Sequence, residues 1–274
     1  MQQPRASSKT GAPGVVRDQA DGLRRLLTRP NVRALLVLGN EESGWVAAML
    51  AEALVMRGER VLLIDQGQGE CHQHLGLEPT HSLEALSGGQ CNAAEAITMT
   101  ASGLQVALVR SDFSEMKERG VTTKEFLGKF GLAPAPVDFV LVHFSNPAAV
   151  ARFMDSEAEI LLTTGVDSAS IQTTYLNIKR TCARPHRYRV VVVGDRKPAN
   201  AASVHERIAS TALRFLGIAP DFEGEVPAAE SRSAIGIAST FAAAFEQLAS
   251  RVMAWRLPEF PVLQNESDLL SLQN

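Results

Sequence analysis

The chain has 274 residues, enough for one large α/β domain or two small ones with a substantial core. Its formal net charge of −3 gives no electrostatic sign of nucleic-acid binding. Three scattered cysteines make no disulfide framework, which is typical of a reducing cytoplasm. The N-terminus lacks the apolar core of a signal peptide, and no run of about 18 apolar residues indicates a membrane span. We therefore expect a cytoplasmic protein that binds no nucleic acid.

The N-terminal segment divides into two parts. Residues 1–14 are rich in Pro, Gly, Ser, Gln and Lys and are expected to be disordered. Asp18 to Leu27 has an N-cap residue followed by three leucines on one face, which predicts a short helix ended by Pro30. We assign 15–30 as a separate helical element ahead of the main domain.

Between residues 31 and 257, short apolar runs alternate with helical patterns. The predicted strands are nearly continuous and β-branched, as in strands buried on both faces. They are Val32–Leu38, Arg60–Ile64, Leu104–Val109, Asp138–Phe144, Glu159–Thr164 and Tyr188–Val193, with Phe222–Val226 as a further candidate. The predicted helices include Val46–Met56, Ser168–Ala183, Ala201–Leu216 and Thr240–Leu257. This alternation predicts one doubly wound α/β domain over 31–257, with a mostly parallel sheet and helices on both faces. Residues 258–274 are expected to form a flexible tail.

Several segments, taken in chain order, resemble a known family. Asp18-Gln-Ala-Asp-Gly-Leu-Arg24 resembles the DQAxxLR motif of FlhG/FleN-type regulators of flagellar number. The run from Val32 to Asp65 has the order strand, phosphate loop, helix and strand of MinD/ParA ATPases. Leu161-Leu-Thr-Thr-Gly165, followed by Ser170 to Lys179, is similar to a later strand and helix of that family. The resemblance implies a MinD/ParA-like domain of the SIMIBI class of P-loop NTPases.

The phosphate loop departs from the pattern of an active family member. Active members have GKGGxGK[ST], in which glycine N–H groups and lysine hold the phosphates and Ser/Thr holds magnesium. Here Ser43 stands at the place of the phosphate lysine, Gly44 at that of Ser/Thr, and Leu38 at that of the family's additional lysine. Glu41 and Glu42 add negative charge where a polyphosphate would bind.

Three other positions depart from the same site. Gly67 replaces the second carboxylate of the family's DxDxG, although Asp65 remains. His143 stands where the family has an Asp that organises magnesium, and a neutral histidine does not replace a hard oxygen ligand. Gly194 stands where the family usually has an adenine-reading Asn. The remnant of the nucleotide site is Gly39, Asn40, Glu41, Glu42, Ser43, Gly44, Asp65 and His143.

These departures predict a degenerate ATPase with no catalytic residues and no cofactor. The alternative is a weak or divergent ATPase that binds ATP and magnesium and dimerises on ATP. His143 is interpreted as a space-filling residue rather than a general base. The run Cys71-His-Gln-His74, with His81 and Cys91 nearby, lacks zinc-like paired spacing and is interpreted as a surface loop without a metal.

The last predicted helix allows two interpretations. Phe241, Phe245, Leu248, Val252 and Trp255 recur at helical spacing and suit core packing. Arg251, Trp255 and Arg256 are also candidates for contact with an anionic membrane. Peripheral location at the inner face of the membrane or at the cell pole therefore stays open.

The resemblance implies partner binding through the first predicted helix. The residues concerned are Asp18, Gln19, Ala20, Leu23 and Arg24, and the implied partner is an FlhF-like GTPase or another flagellar assembly protein. We expect a FlhG/FleN-like regulator of flagellar number and placement, acting as an inactive scaffold through protein contacts. It would act alone, as a homodimer, or as a heterodimeric modulator of an active paralogue.

Overall fold

The computed structural model describes residues 31–87, 89–111, 113–114, 118, 126, 137–154, 157–194, 201–229 and 238–261. The segments assigned to 1–14 and 15–30, with the docking residues Asp18 to Arg24, lie outside the described residues. Most of the assigned tail also lies outside them.

Strands and helices alternate through the described residues. The strands are β1 (Asn31–Leu38), β2 (Val61–Gln66), β3 (Ile97–Met99), β4 (Gln105–Val109), β5 (Phe139–Phe144), β6 (Glu159–Thr164), β7 (Arg187–Gly194), β8 (Asp221–Pro227) and β9 (Glu259–Pro261). The helices are α1 (Ser43–Met56), α2 (Glu70–Leu75), α3 (Leu83–Ser87), α4 (Ala93–Ala96), α5 (Pro147–Phe153), α6 (Ser168–Thr181), α7 (Ala201–Leu216) and α8 (Ala238–Ala254).

The described strands form one sheet in the order β3-β4-β2-β5-β1-β6-β7-β8, and β9 pairs with β1. Pairing is parallel except between β3 and β4 and between β9 and β1. Strands β2, β5 and β6 are buried at every position, as their continuous apolar runs predict. Separate apolar clusters cover the two faces of the sheet. The predicted doubly wound, mostly parallel α/β domain is confirmed.

Two short strands were not predicted, and one of them corrects the assigned tail. Glu259–Pro261 was placed in a flexible segment beginning at 258, but it pairs antiparallel with the first residues of β1. Phe260 is buried beside Val32, its register partner. A strand of three residues is too short to give a periodic signal, so tertiary pairing alone defines it. The same reason applies to Ile97–Met99.

Helix α1 is buried around most of its circumference. It lies between the sheet and α8, and Trp45 at its first turn stacks edge-on against Phe241 and Phe245. Phe245, Leu248 and Val252 of α8 are all buried, so this face packs in the core as the first of the two interpretations expects. In the parts of the chain described here, no helix has the length and hydropathy to cross a membrane.

Candidate functional site

The sheet topology brings the carboxyl ends of four strands together. Strand β1 lies between β5 and β6, and β2 pairs with the other side of β5. Because these strands are parallel, their carboxyl ends and the loop from β1 to α1 meet at one edge. Asp65 and His143 are direct register partners of β2 and β5. The residues of the degenerate phosphate loop therefore lie at the same edge as both.

A buried polar network connects three of the predicted remnant residues. The Nδ1 of His143 donates to Oδ1 of Asp65 over 3.2 Å. Its Nε2 is 2.9 Å from Oγ of Ser43, at the first residue of α1, and accepts from that hydroxyl. All three side chains are buried. His143 is thus a buried, ordered link between the phosphate loop and β2.

Two further residues of this network come from helix α2. His72 donates to Oδ2 of Asp65 from its ring Nδ1 at 2.9 Å and from its backbone N–H at 3.1 Å. The Cys71 thiol also hydrogen-bonds Asp65. Cys71 and His72 are both buried. The interpretation of Cys71 to His74 as a surface loop is therefore wrong: the segment is a short helix whose first residues turn inward. The position of this segment directly after Asp65 in the sequence was the signal that could have placed it at the site.

The surroundings of this network shift the pKa values of Asp65 and Cys71. Burial alone would raise the pKa of Asp65, but hydrogen bonds from His143 and His72 outweigh it and hold that pKa well below its usual range. Burial, with the neighbouring Asp65 charge, raises the pKa of the Cys71 thiol well above its ordinary value. Asp65 is therefore the anion on which the hydrogen-bond donors of this network converge.

The rest of the phosphate loop is held by contacts within the protein. Asn40 donates from Nδ2 to Oγ of Ser170 and accepts from the Thr163 hydroxyl, both at 3.3 Å. Glu42 lies just before α1, and its Oε2 accepts from the backbone N–H of Ala229 at 3.3 Å. Its carboxylate also suits the positive end of the helix dipole. Glu41 is exposed.

Neighbouring side chains fill the space at each glycine that replaces a family residue. A Cβ added at Gly44 would lie 2.7 Å from Cβ of Glu70, and one at Gly67 would lie 2.5 Å from Oγ of Ser145. Gly67 also has a φ of +138°, which other residues rarely adopt. At Gly194 a Cβ would overlap the Glu225 carboxylate. A side chain would therefore clash at Gly44 and be strained at Gly67, whereas the flexible end of Glu225 can move away from Gly194.

The residues present fit magnesium and a nucleotide triphosphate poorly. The loop offers no lysine, the hydroxyl position is a glycine, and Ser43 is already hydrogen-bonded to His143. Ser43, His143 and Asp65 do have the hydrogen-bond order of a serine hydrolase triad. However, Ser43 is only 4% exposed, so its hydroxyl is closed to a substrate carbonyl.

The membrane-contact candidates lie at the β8 side of the sheet. Arg251 is exposed and donates to the backbone carbonyl of Glu223. Arg189 stacks over the half-buried Trp255 ring, 4.2 Å from its centroid, and Arg256 is exposed. Arg251 and Trp255 thus have partners within the protein, and their contact with a membrane stays a prediction.

Known proteins resemble this chain in both sequence and fold. The antiactivator FleN of Pseudomonas aeruginosa is 26% identical over 239 residues, which is 79% of this chain and 83% of FleN. The cell division protein MinD of Aquifex aeolicus has a TM-score of 0.59 at 17% identity, covering 83% of this chain and 99% of that one. The cell division ATPase MinD of Pyrococcus furiosus has a TM-score of 0.56 at 16% identity, covering 81% and 98%. No family model matches the chain.

These similarities agree with the order of strands, the phosphate-loop position and the parallel sheet described above. At such low identity the solved structures establish the fold, whereas the similarity to FleN concerns the sequence itself. The chain therefore has the fold of the MinD/ParA-type P-loop ATPases and resembles FlhG/FleN-type regulators over most of its length.

Proposed function

We propose that this chain is a FlhG/FleN-like regulator of flagellar number and placement that works through protein contacts and does not hydrolyse ATP. The sequence similarity to FleN, which is named an antiactivator, supports the regulatory part. The fold supports protein partners as well, because the MinC:MinD complex of Aquifex aeolicus is similar to this chain, with a TM-score of 0.57.

The packing at Gly44 carries the inactive part of the proposal. Loss of a functional side chain by itself leaves a vacant space that a reverting mutation could fill. Here α2 packs against the glycine so closely that a Ser/Thr hydroxyl cannot occupy its usual place. Ser43 is likewise fixed to His143, and the Glu42 carboxylate is engaged by Ala229. The pocket is thus closed by contacts that an ATP site would have to break.

Calorimetric titration with magnesium-ATP and magnesium-ADP tests this part. We expect binding no tighter than about millimolar and no turnover, since two lysines are missing and two carboxylates are added. A Glu41→Ala variant separates charge from closure, because Glu41 is exposed and makes none of the closing contacts, and it should remain unable to hydrolyse ATP. Micromolar binding by the wild type, or ATP-dependent dimerisation, would instead establish the divergent ATPase.

The partner-binding part rests on the N-terminal motif. We propose that Asp18, Gln19, Ala20, Leu23 and Arg24 dock on an FlhF-like GTPase. Leu23 would supply apolar burial. Arg24 would supply a forked, charge-assisted contact that lysine reproduces poorly.

Stimulation of an FlhF-type GTPase by the full-length chain tests the docking. Gln19→Ala, Leu23→Ala and Arg24→Lys should each weaken binding by about 1–3 kcal/mol if the residue is an anchor. Arg25→Lys is the matched control, because it makes the same change one residue outside the motif. Equal stimulation by Arg24→Lys and Arg25→Lys would remove Arg24 from the interface. No binding by the wild-type chain would refute the docking.

A further inference from the structure

We propose that the buried cluster of Asp65, Cys71 and His143 binds one zinc ion, or a divalent transition-metal ion of similar chemistry. The proposed regulatory function does not require this ion. From the sequence we expected no metal, because the run Cys71-His-Gln-His74, with His81 and Cys91 nearby, lacks zinc-like paired spacing.

The ligand atoms already lie together in the folded protein. One carboxylate oxygen of Asp65, the Cys71 sulfur and one ring nitrogen of His143 all lie within 4.8 Å of one another, and all three residues are buried. Each comes from a different element, namely the end of β2, helix α2 and strand β5. The sheet and its covering helix therefore hold the ligands in place.

The chemistry of the three donors selects the kind of metal. A thiolate, an imidazole and a carboxylate are the ligands that zinc takes in proteins, and a hard cation such as magnesium prefers oxygen ligands alone. Metal–ligand distances of about 2.0–2.3 Å need only a modest contraction of the present cluster. The mixed donor set also distinguishes it from a surface group of acidic residues.

Without a metal ion, hydrogen bonds connect the ligand residues, and their hydrogen atoms lie between the atoms that would bind the ion. His143 Nδ1 and the Cys71 thiol both hydrogen-bond Asp65. On metal binding, the thiol proton leaves to solvent, and the His143 proton moves from Nδ1 to Nε2. Ser43 Oγ, 2.9 Å from Nε2, then accepts that proton's hydrogen bond. Such a partner on the distal ring nitrogen is the usual support of a metal-bound histidine.

Two further observations beside the cluster point to a missing ligand. Nε2 of His72 and Oε2 of Glu70 are buried and have no hydrogen-bond partner. His72 already orients Asp65 through its other ring nitrogen and its backbone N–H. Three protein ligands leave a fourth tetrahedral position for water.

Cobalt substitution tests the proposal in the full-length chain. The protein is stripped with a chelator under reducing conditions and titrated with Co²⁺, whose thiolate charge-transfer and visible d–d bands report sulfur ligation in a tetrahedral site. We expect saturation at one ion per chain and displacement by Zn²⁺. Cys71→Ser should lose the thiolate charge-transfer band. His143→Gln should lose the tetrahedral d–d spectrum. Cys91→Ser and Cys182→Ser are matched controls and should retain both.

A variant of His72, which contacts the ligand Asp65 and not the metal, should weaken zinc binding without abolishing it. His72→Ala removes a partner of Asp65 without removing a ligand, and it should weaken Zn²⁺ binding about 10- to 100-fold. If the ligand variants do not fold, X-ray absorption of the zinc-loaded wild type decides, because one sulfur neighbour supports the site and none overturns it. Absence of a charge-transfer band in the wild type, or a band that survives Cys71→Ser, would overturn the proposal.

Discussion

The close contact between Gly44 and α2 makes a prediction whose sign is opposite to that of helix propensity. Replacing a glycine inside a helix by alanine usually stabilises a protein by about 0.5–1 kcal/mol. At Gly44 the new Cβ would lie 2.7 Å from Cβ of Glu70, 3.4 Å from its carbonyl carbon and 3.5 Å from the Cys71 nitrogen. Carbon–carbon contacts are normally about 3.5–4.0 Å, so α2 must move by about 1 Å.

Overpacking of this kind costs about 1–3 kcal/mol. After the gain in helix propensity, Gly44→Ala should lower the free energy of unfolding by about 0.5–2 kcal/mol. Gly44→Thr should lower it further, because a branched side chain must fit in the same gap. For the same reason, Ser43→Lys with Gly44→Thr should not restore ATP hydrolysis.

Urea unfolding of a double-mutant cycle measures the contact directly. Glu70→Gly removes the atom that the new Cβ meets, so Gly44→Ala should be tolerated in that background. We expect a coupling energy of about 1 kcal/mol or more between the two sites. Stabilisation by Gly44→Ala in the wild-type background, or strictly additive effects of the two changes, would show that α2 yields without cost and would refute the closure argument.

Four other changes have defined outcomes. The pKa of Asp65 is lower in the folded than in the unfolded protein, so ionised Asp65 stabilises the fold above the unfolded pKa of about 4, and this stabilisation is lost as the pH falls further. Asp65→Asn should therefore flatten acid unfolding curves below about pH 4. Burial raises the pKa of Tyr188 to about 12, so stability should fall as pH rises from about 10 through 12, and Tyr188→Phe should abolish that loss in alkaline thermal melts. Phe260→Ala should lower the free energy of unfolding by about 3 kcal/mol in urea, whereas removal of residues 262–274 should leave it nearly unchanged if β9 is the end of the folded domain.

The order of strands and helices along the chain could be predicted from the sequence, because it depends on local patterns of residues. Strands β2, β5 and β6 carry apolar runs that need both of their faces covered, and Glu159–Thr164 was predicted with the bounds it has. Helix Ala201–Leu216 was likewise predicted with its observed bounds. The short elements β3, β9 and α2 were missed because three to six residues carry too little periodicity.

The sequence by itself determined which chemical groups of an active nucleotide site are absent: the two lysines, the Ser/Thr hydroxyl and the second carboxylate. Only the tertiary structure decided what takes their place. Asp65, Cys71 and His143 become neighbours because β2 and β5 are paired and α2 folds back over them. A side chain at Gly44 becomes unfavourable because α2 lies against the glycine. Both depend on contacts between segments distant in the chain, and residue type alone does not encode such distances.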